Sequence, residues 1–300
     1  MSANFINSDY IRKSEEMQDK RDILIKKISE RQRLKKIIYE NIKSHLSENQ
    51  KTYYKNCGNF LKVNSNGNIT KAYLCRNRYC PICNMLNSRG KYAKIISAMK
   101  EFPPCEFIFI TLTVKNVSGE NLKKELEHIS KSFHKFQNRA PMNKVSLGYF
   151  RTTEITYNSE SDTFHPHIHM LVAVQENYFH NKSYATTFEW RSAWESSAEL
   201  SYISQVDVRK VEKGENIFHA VAEISKYCTK LSTIICNNKN NSAIGYLINA
   251  TKSRRLINVG GIFKKLKNIE NEYLTEDEEG GKYYLYKDNK YVEFDDFIIS

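Results

Sequence analysis

Apolar positions between residues 105 and 175 follow the short periods of strands. Phe107, Ile108, Phe109, Ile110, Leu112 and Val114 make a nearly unbroken β-branched and aromatic run. Such a run predicts a central strand buried on both faces. Leu122, Leu126, Ile129, Phe133 and Phe136 then recur at three- and four-residue steps, the pattern of a helix lying over a sheet. Residues 147–157 and 164–174 read as two further strands joined by the polar turn 158–163, and residues 205–212 as another, with Val206, Val208 and Val211. Helices are predicted at 11–46, through Leu34, Ile37, Ile38, Ile42 and Leu46, and at 84–100, stopped by Phe102-Pro103-Pro104. Another is predicted around Phe188, Trp190, Trp194 and Leu200. The last, 216–230, carries the stripe Ile217, Val221, Ile224 and Cys228. Asn66-Gly67 between 60–63 and 69–74 is a strong hairpin signal, and Asp288-Asn289 marks a Tyr-rich hairpin over 282–294.

Composition adds a partner. Hydrophobic residues make up 40% of the 300 and aromatics 12%, which excludes a disordered chain. The net charge is +12, unevenly spread: residues 269–300 carry −7, so the first 268 carry +19. A basic body with an acidic tail points to a polyanion, most simply nucleic acid. Eleven Lys/Arg against six Asp/Glu between Ile11 and Ser44 fit either a basic arm on DNA or a solvated helix packed on the body. No run nears the ~18 apolar residues of a membrane span. A polar amino terminus and an odd number of cysteines, seven, lead us to expect a reducing cytoplasm, where clustered cysteines bind metal rather than pair.

Two clusters have metal-ligand spacing. Folding about Asn66-Gly67 lays Cys57 beside Cys75, and Cys80-Pro81-Ile82-Cys83 supplies a Cys-x-x-Cys turn. Four thiolates so placed can close a structural zinc site. Cys105, Cys228 and Cys236 lack such spacing and read as core. The second cluster is His165, His167 and His169, alternate residues that share one strand face. Direct pairing with the preceding strand sets Glu154 opposite His167 on that face; a one-residue slip would turn it away. His167, His169 and Glu154 would then form a three-ligand site with positions open for substrate, His165 standing by as the substitute.

On the helix 216–230, Glu223, Tyr227 and Lys230 fall in one narrow arc beside the apolar stripe. A lone tyrosine on a helix is ordinarily packing, but beside a metal site in a basic chain it reads as a nucleophile. Tyr227 attacks a DNA phosphate activated by the metal, giving a 5′-phosphotyrosine and a free 3′-hydroxyl. Lys230 stabilises the developing charge, and Glu223 is the general base for a later water.

These motifs together resemble the plasmid rolling-circle replication initiators of the HUH endonuclease superfamily, in the single-tyrosine branch from small Gram-positive plasmids. Phe109-Ile110-Thr111-Leu112-Thr113-Val114-Lys115-Asn116 is similar to the first family motif. Residues 165–174 are similar to the second, the His-hydrophobe-His metal motif, and Glu223-Ile224-Ser225-Lys226-Tyr227-Cys228-Thr229-Lys230 to the third. The cysteine cluster, Val206-Asp207-Val208-Arg209-Lys210-Val211 and Gly260-Gly261-Ile262-Phe263-Lys264 also look like family segments. The resemblance implies an α+β fold, a central antiparallel sheet flanked by helices. It implies a metal-dependent nicking-closing endonuclease that cuts the plasmid double-strand origin and stays on the 5′ end. A host polymerase then extends the 3′ end while a host helicase unwinds, and Glu223 terminates by activating water. The family's catalytic metal is Mn²⁺ or Mg²⁺; the residues alone fit softer ions too.

The expected organisation is a basic helical arm (1–50), a zinc-binding hairpin with its helix (51–104), the endonuclease domain (105–267) and an acidic tail with a hairpin (268–300). Alternatives are a single-tyrosine HUH transposase or mobilisation relaxase, or a zinc-containing DNA-binding regulator without nuclease activity. No membrane partner is expected.

Overall fold

A computed structural model describes residues 3–212, 215–225, 242–266, 274 and 281–294. In chain order the elements are α1 (Ala3–Ile42), α2 (Glu48–Asn56), β1 (Phe60–Val63), β2 (Ile69–Ala72), α3 (Pro81–Met99), β3 (Cys105–Thr113), β4 (Val117–Ser118), α4 (Gly119–Gln137), α5 (Met142–Val145), β5 (Ser146–Asn158), β6 (Thr163–Gln175), α6 (Thr187–Ser197), β7 (Val206–Val211), α7 (Glu215–Ser225), α8 (Ser242–Thr251), β8 (Ile257–Gly261), β9 (Lys282–Lys287) and β10 (Lys290–Phe294). The chain divides into two compact units, Met1–Gly90 with Asn271–Ser300, and Lys91–Glu270. Both are mixtures of helices and antiparallel sheet, the α+β class expected.

In the first unit a four-stranded sheet runs β10-β9-β1-β2. Leu61 pairs with Ala72 and Lys62 with Lys71, the register expected of a hairpin about Asn66-Gly67. The connection is longer than a two-residue turn. It spans the five residues between the strands, closed by the Asn64 side chain, which accepts from the backbone N–H of Asn66 (3.1 Å) and Asn68 (2.9 Å). Gly67 takes the left-handed conformation there (φ 71°). β9 and β10 form the hairpin expected at 282–294, and β9 pairs with β1.

From Lys20 onward α1 is not a free arm. It buries Arg21, Leu24, Ile28, Gln32, Lys35, Ile38 and Ile42 along one face. The stripe is rotated from the one expected: Ile37 is 52% exposed. Polar side chains take its place because their head groups find acceptors. Lys35 Nζ donates to the carbonyls of Lys55 (2.9 Å) and Cys57 (2.7 Å), and Gln32 Nε2 to that of Cys57 (3.3 Å). α2 is fixed at its start by a reciprocal capping box between Ser47 and Gln50.

The second unit is built on the sheet β7-β3-β6-β5-β8, with β4 added beside β6. β3 and β6 are central, as their apolar runs predict. Ile108, Ile110, Ile168, Met170 and Val172 face α4 and α6, packing on Phe133, Phe136, Trp190 and Trp194. Phe109, Phe150, Leu171 and Ala173 face the other way, onto Ala220, Val221 and Ile224 of α7. Cys105, read as core, is only half-buried at the start of β3. β8 was not expected. A Cβ on Gly260 would sit 2.4 Å from Tyr149 Cε1, and one on Gly261 2.1 Å from Leu147 O, so the glycine pair is what lets β8 close on β5. Gly261 also needs a positive φ, 56°.

Candidate metal centres

In the second unit, β6 continues its inward face from Ala173 and Leu171 to His169, His167 and His165. The register sets Glu154 and Thr113 either side of His167, and Thr152 and Thr111 either side of His169. One face of the sheet thus changes from apolar to polar at one end. There His167 Nε2 and His169 Nε2 are 3.1 Å apart. Glu154 Oε2 is 3.1 Å from His169 Nε2 and 3.5 Å from His167 Nε2. Cis ligands of an octahedral ion with bonds of about 2.1 Å lie about 3 Å apart, so the spacing fits one divalent cation.

The two rings are held from behind. His169 Nδ1 lies 3.1 Å from Thr111 Oγ1, and His167 Nδ1 lies 3.1 Å from the His165 carbonyl. A carbonyl only accepts, so the Nδ1 of His167 carries the proton and its Nε2 lone pair faces the cluster. The Thr111 hydroxyl allows the same tautomer at His169. All three side chains are largely buried, with 10–13% of their area exposed. His165 stacks on His167 (5.0 Å between centroids), and burial, then the neighbouring His167, keeps its imidazole below the ordinary histidine value. It is not part of the convergent group. Thr111 and Thr152 were not singled out from the sequence. Yet the pairing that sets Glu154 opposite His167 also sets Thr152 opposite His169, and that signal was available.

α7 lies over this face. Ile224 is buried against the sheet, and its carbonyl accepts from Thr152 Oγ1 at 3.1 Å. Glu223 is half-buried on the same helix. Tyr227, Lys230 and the rest of the stretch expected to be helical to residue 230 lie outside the described residues, as do Cys228 and Cys236.

In the first unit, Cys57, Cys75, Cys80 and Cys83 bring four sulfurs together. Cys57 Sγ is 3.5 Å from both Cys80 and Cys83, and Cys75 Sγ is 3.7 Å from Cys83. Four Zn–S bonds of about 2.3 Å in a tetrahedron place sulfurs about 3.8 Å apart. The expected Cys-x-x-Cys turn is the entry to α3. Pro81 stands at its first position, where no N–H is needed. Hydrogen bonds from Cys75, then Cys80 and Cys83, hold the Cys57 thiol far below its ordinary value, while burial pushes Cys80 up. Cys57 is thus pushed down while Cys80 and Cys83 are pushed up, a conflict that a divalent cation binding their thiolates removes. Lys35, clasping the Cys57 carbonyl, sets a positive charge beside the cluster; burial pulls its amine below the ordinary lysine value and the four cysteines oppose that.

Among the described residues no helix is long and apolar enough to cross a membrane. Comparison with known proteins gives a consistent result. A family model described as "Replication protein" matches residues 66–295. A "Protein rep" of Streptococcus pneumoniae is 35% identical over 233 residues, 72% of either chain. One of Bacillus amyloliquefaciens is 37% identical over 236 residues, 71% of this chain and 68% of the relative. One of Staphylococcus aureus is 34% identical over 223 residues, 71% of this chain and 96% of the relative. No solved structure matches significantly.

Proposed function

This chain belongs to the replication protein family, and from that premise we propose that it starts rolling-circle replication of a plasmid by nicking the double-strand origin. The family assignment bears out the resemblance drawn from the motifs. What carries the chemical part of the reading is the convergence of Glu154, His167 and His169 on the sheet face against which α7 packs, Tyr227 following that helix two residues later in the sequence.

Glu154, His167 and His169 would hold a divalent ion, Mn²⁺ or Mg²⁺. Such an ion supplies Lewis-acid stabilisation of charge on the scissile phosphate. Two imidazoles favour Mn²⁺ over Mg²⁺, whose preference is for oxygen. Tyr227 Oη attacks phosphorus and loses its proton. The bond to the 3′ oxygen breaks, and that oxygen leaves as a hydroxyl once it has taken up a proton. The products are a 5′-phosphotyrosine and a 3′-OH primer. Lys230 balances charge on the phosphate oxygens. At termination Glu223 takes a proton from water, whose oxygen attacks the phosphotyrosine phosphorus in place of a second tyrosine; the bond to Tyr227 Oη breaks, that oxygen regains a proton, and the DNA leaves with a 5′-phosphate. The cysteine cluster would hold structural zinc. Origin DNA is the partner in this reading, with a host helicase and polymerase acting from the primer in the cytoplasm.

The test uses single-stranded oligonucleotides tiling the plasmid, incubated with the full chain and Mn²⁺. We expect a covalent adduct on Tyr227 by mass spectrometry. None should form with Tyr227→Phe, although that variant still binds the origin. Glu223→Ala should nick but fail to release. An adduct on another residue overturns the mechanism. If neither the unaltered chain nor Tyr227→Phe forms an adduct and both bind the origin alike, a non-catalytic regulator is the better reading.

A further inference from the structure

The four-stranded sheet of the first unit has two unlike faces. Successive side chains of a strand point to opposite sides, and residues paired across strands share a side. One side carries Leu61, Tyr284 and Tyr291. Leu61 and Tyr284 are buried there, and the Tyr291 hydroxyl accepts from Gln32 of α1 at 3.0 Å. The opposite side is open: Tyr73 is 65% exposed, and Leu285 and Val292 are 45% exposed each. Neither candidate metal centre uses these residues.

The open side is ordered in rows. Val292 pairs with Leu285 and Leu285 with Phe60, and Tyr73 closes the row by donating its backbone N–H to the Phe60 carbonyl at 3.3 Å. Beside it, Phe294 pairs with Tyr283. The rings make one chain across all four strands. Tyr73 and Phe60 have centroids 5.4 Å apart, Phe60 and Tyr283 5.9 Å, and Tyr283 and Phe294 5.7 Å. Lysines bound this patch. Lys62 pairs with Tyr283 on one side and Lys71 on the other, and its Nζ lies 5.3 Å from the Tyr283 ring centre. Lys287 and Lys290 face each other at the β9–β10 turn. Like charges directly opposite one another destabilise a sheet, and this face carries two such pairs. Among the described strand residues of this sheet the one carboxylate, Glu293, is on the other side, opposite Tyr284 and ion-paired with Lys282 at 2.6 Å.

We propose that this sheet face binds single-stranded DNA, its bases lying on Tyr73, Phe60 and Phe294 and its phosphates running along the lysines. The two like-charge pairs fix the sign of the partner, since a polyanion removes their repulsion. The accessible rings beside them fix its kind. Unstacked bases lie on aromatic side chains and leave their phosphates to neighbouring cations. A duplex keeps its bases stacked inside, so it would use the lysines and leave the rings idle, and so would an acidic protein segment. Leu285 and Val292 continue the apolar floor, and Tyr283, only 8% exposed, backs the rings from within the sheet. Nicking an origin frees single strand, so the ligand is one that the proposed reaction itself supplies. The choice of DNA over RNA rests on that reading; the strand-binding face does not.

The full chain is tested without added Mn²⁺, so that binding is read apart from cleavage. A short single strand bearing 5-iodo-2′-deoxyuridine is photo-crosslinked and the adducts are mapped by mass spectrometry; we expect them within 60–73 or 283–294. Fluorescence anisotropy then compares variants. Tyr73→Ala should raise the Kd for the single strand about tenfold, the worth of stacking on one ring, and leave the Kd for duplex unchanged. Lys290→Ala, at an exposed position, should weaken strand binding and reduce the slope of log K against log salt by about 0.7; it decides the matter if the tyrosine variant loses its fold. Adducts only outside these segments, or an unchanged Kd in both variants, overturn the proposal. So does equal weakening of single strand and duplex by Lys290→Ala with Tyr73→Ala unaffected, which would leave only phosphate contacts. Competition by polyglutamate as strong as by the strand would make the face a dock for acidic protein and overturns it too. Nicking of origin oligonucleotides with Mn²⁺ is followed separately: strand binding on the sheet without nicking refutes the catalytic reading alone, and nicking without it refutes the sheet platform alone.

Discussion

Thr111→Val tests whether the metal centre is preorganised from behind. Valine keeps the shape of threonine and its place on β3, so the pairing of position 111 with His169 is retained. What is lost is the 3.1 Å contact from Oγ1 to His169 Nδ1. It is the contact on the Nδ1 side of that ring, opposite the Nε2 contacts with Glu154 and His167. A neutral hydrogen bond of this kind contributes about 0.5–1.5 kcal/mol. Partners of this kind behind a metal-binding histidine change metal affinity by about 10–100-fold. Since the partner is neutral and the site partly exposed, the lower end applies: about tenfold, or about 1.4 kcal/mol. The assay is titration with Mn²⁺, following the free ion by electron paramagnetic resonance, with His169→Ala as the reference for a lost ligand. Nicking should need about tenfold more Mn²⁺, while the rate at saturating metal stays close to that of the unaltered chain. Unchanged Mn²⁺ affinity in Thr111→Val, with affinity lost in His169→Ala, would refute the positioning role. A rate deficit that saturating Mn²⁺ does not rescue would place the hydroxyl on the substrate instead.

Three further outcomes follow from the packing. Cys80→Ser should abolish stoichiometric zinc, read by elemental analysis, and open the first unit to proteolysis; structural zinc contributes on the order of 10 kcal/mol in small metal-folded units, and a variant that keeps both zinc and protection contradicts the closed site. Lys35→Met should lower unfolding free energy by about 2 kcal/mol in denaturant titrations, because two carbonyls lose a charged donor; a neutral effect would mean that water replaces the ammonium. Gly261→Ala should cost more than about 2 kcal/mol, since its Cβ meets the Leu147 carbonyl at 2.1 Å and the backbone is left-handed; circular dichroism melting checks it, and a melting temperature within a degree of the parent would show that β8 can shift.

The parts legible in the sequence are those where burial and period agree. β3 and β6 are buried on both faces and read as apolar runs, and α4 carries a clean stripe. The triad was legible for a stricter reason. A short turn between two long strands fixes their register, and register alone decides that Glu154 and His167 share a face. Local pattern failed where long-range contacts override it. The two terminal glycines of β8 gave no strand signal, because the need for them comes from Tyr149 and Leu147 across the sheet. α8 is short, begins after an Asn-rich stretch and contains Gly245, so its helical signal is weak although Ala243, Ile244, Leu247 and Ala250 are buried. The stripe of α1 was misplaced because hydropathy counts Gln32 and Lys35 as outward, whereas backbone carbonyls of a neighbouring segment make them inward.

The donor sets separate the two candidate centres by role. Four thiolates complete a tetrahedron and leave no position for water or phosphate, so the cysteine cluster can hold a fold together but cannot activate a substrate. Two imidazoles and one carboxylate leave about half of an octahedral sphere open. A carbonyl sets the tautomer of His167 and a hydroxyl allows the same one at His169, so both Nε2 atoms can face the open side before any ion binds. If one unit of this chain performs phosphoryl transfer, it is the one carrying Glu154, His167 and His169. A chain stripped of zinc and a chain stripped of the triad's ion should therefore fail differently, the first by losing structure in its first unit and the second by losing cleavage with its fold intact. Circular dichroism and the oligonucleotide nicking assay, run on Cys80→Ser and His169→Ala in parallel, separate the two; unaltered folding and lost cleavage in both variants would refute the division of labour.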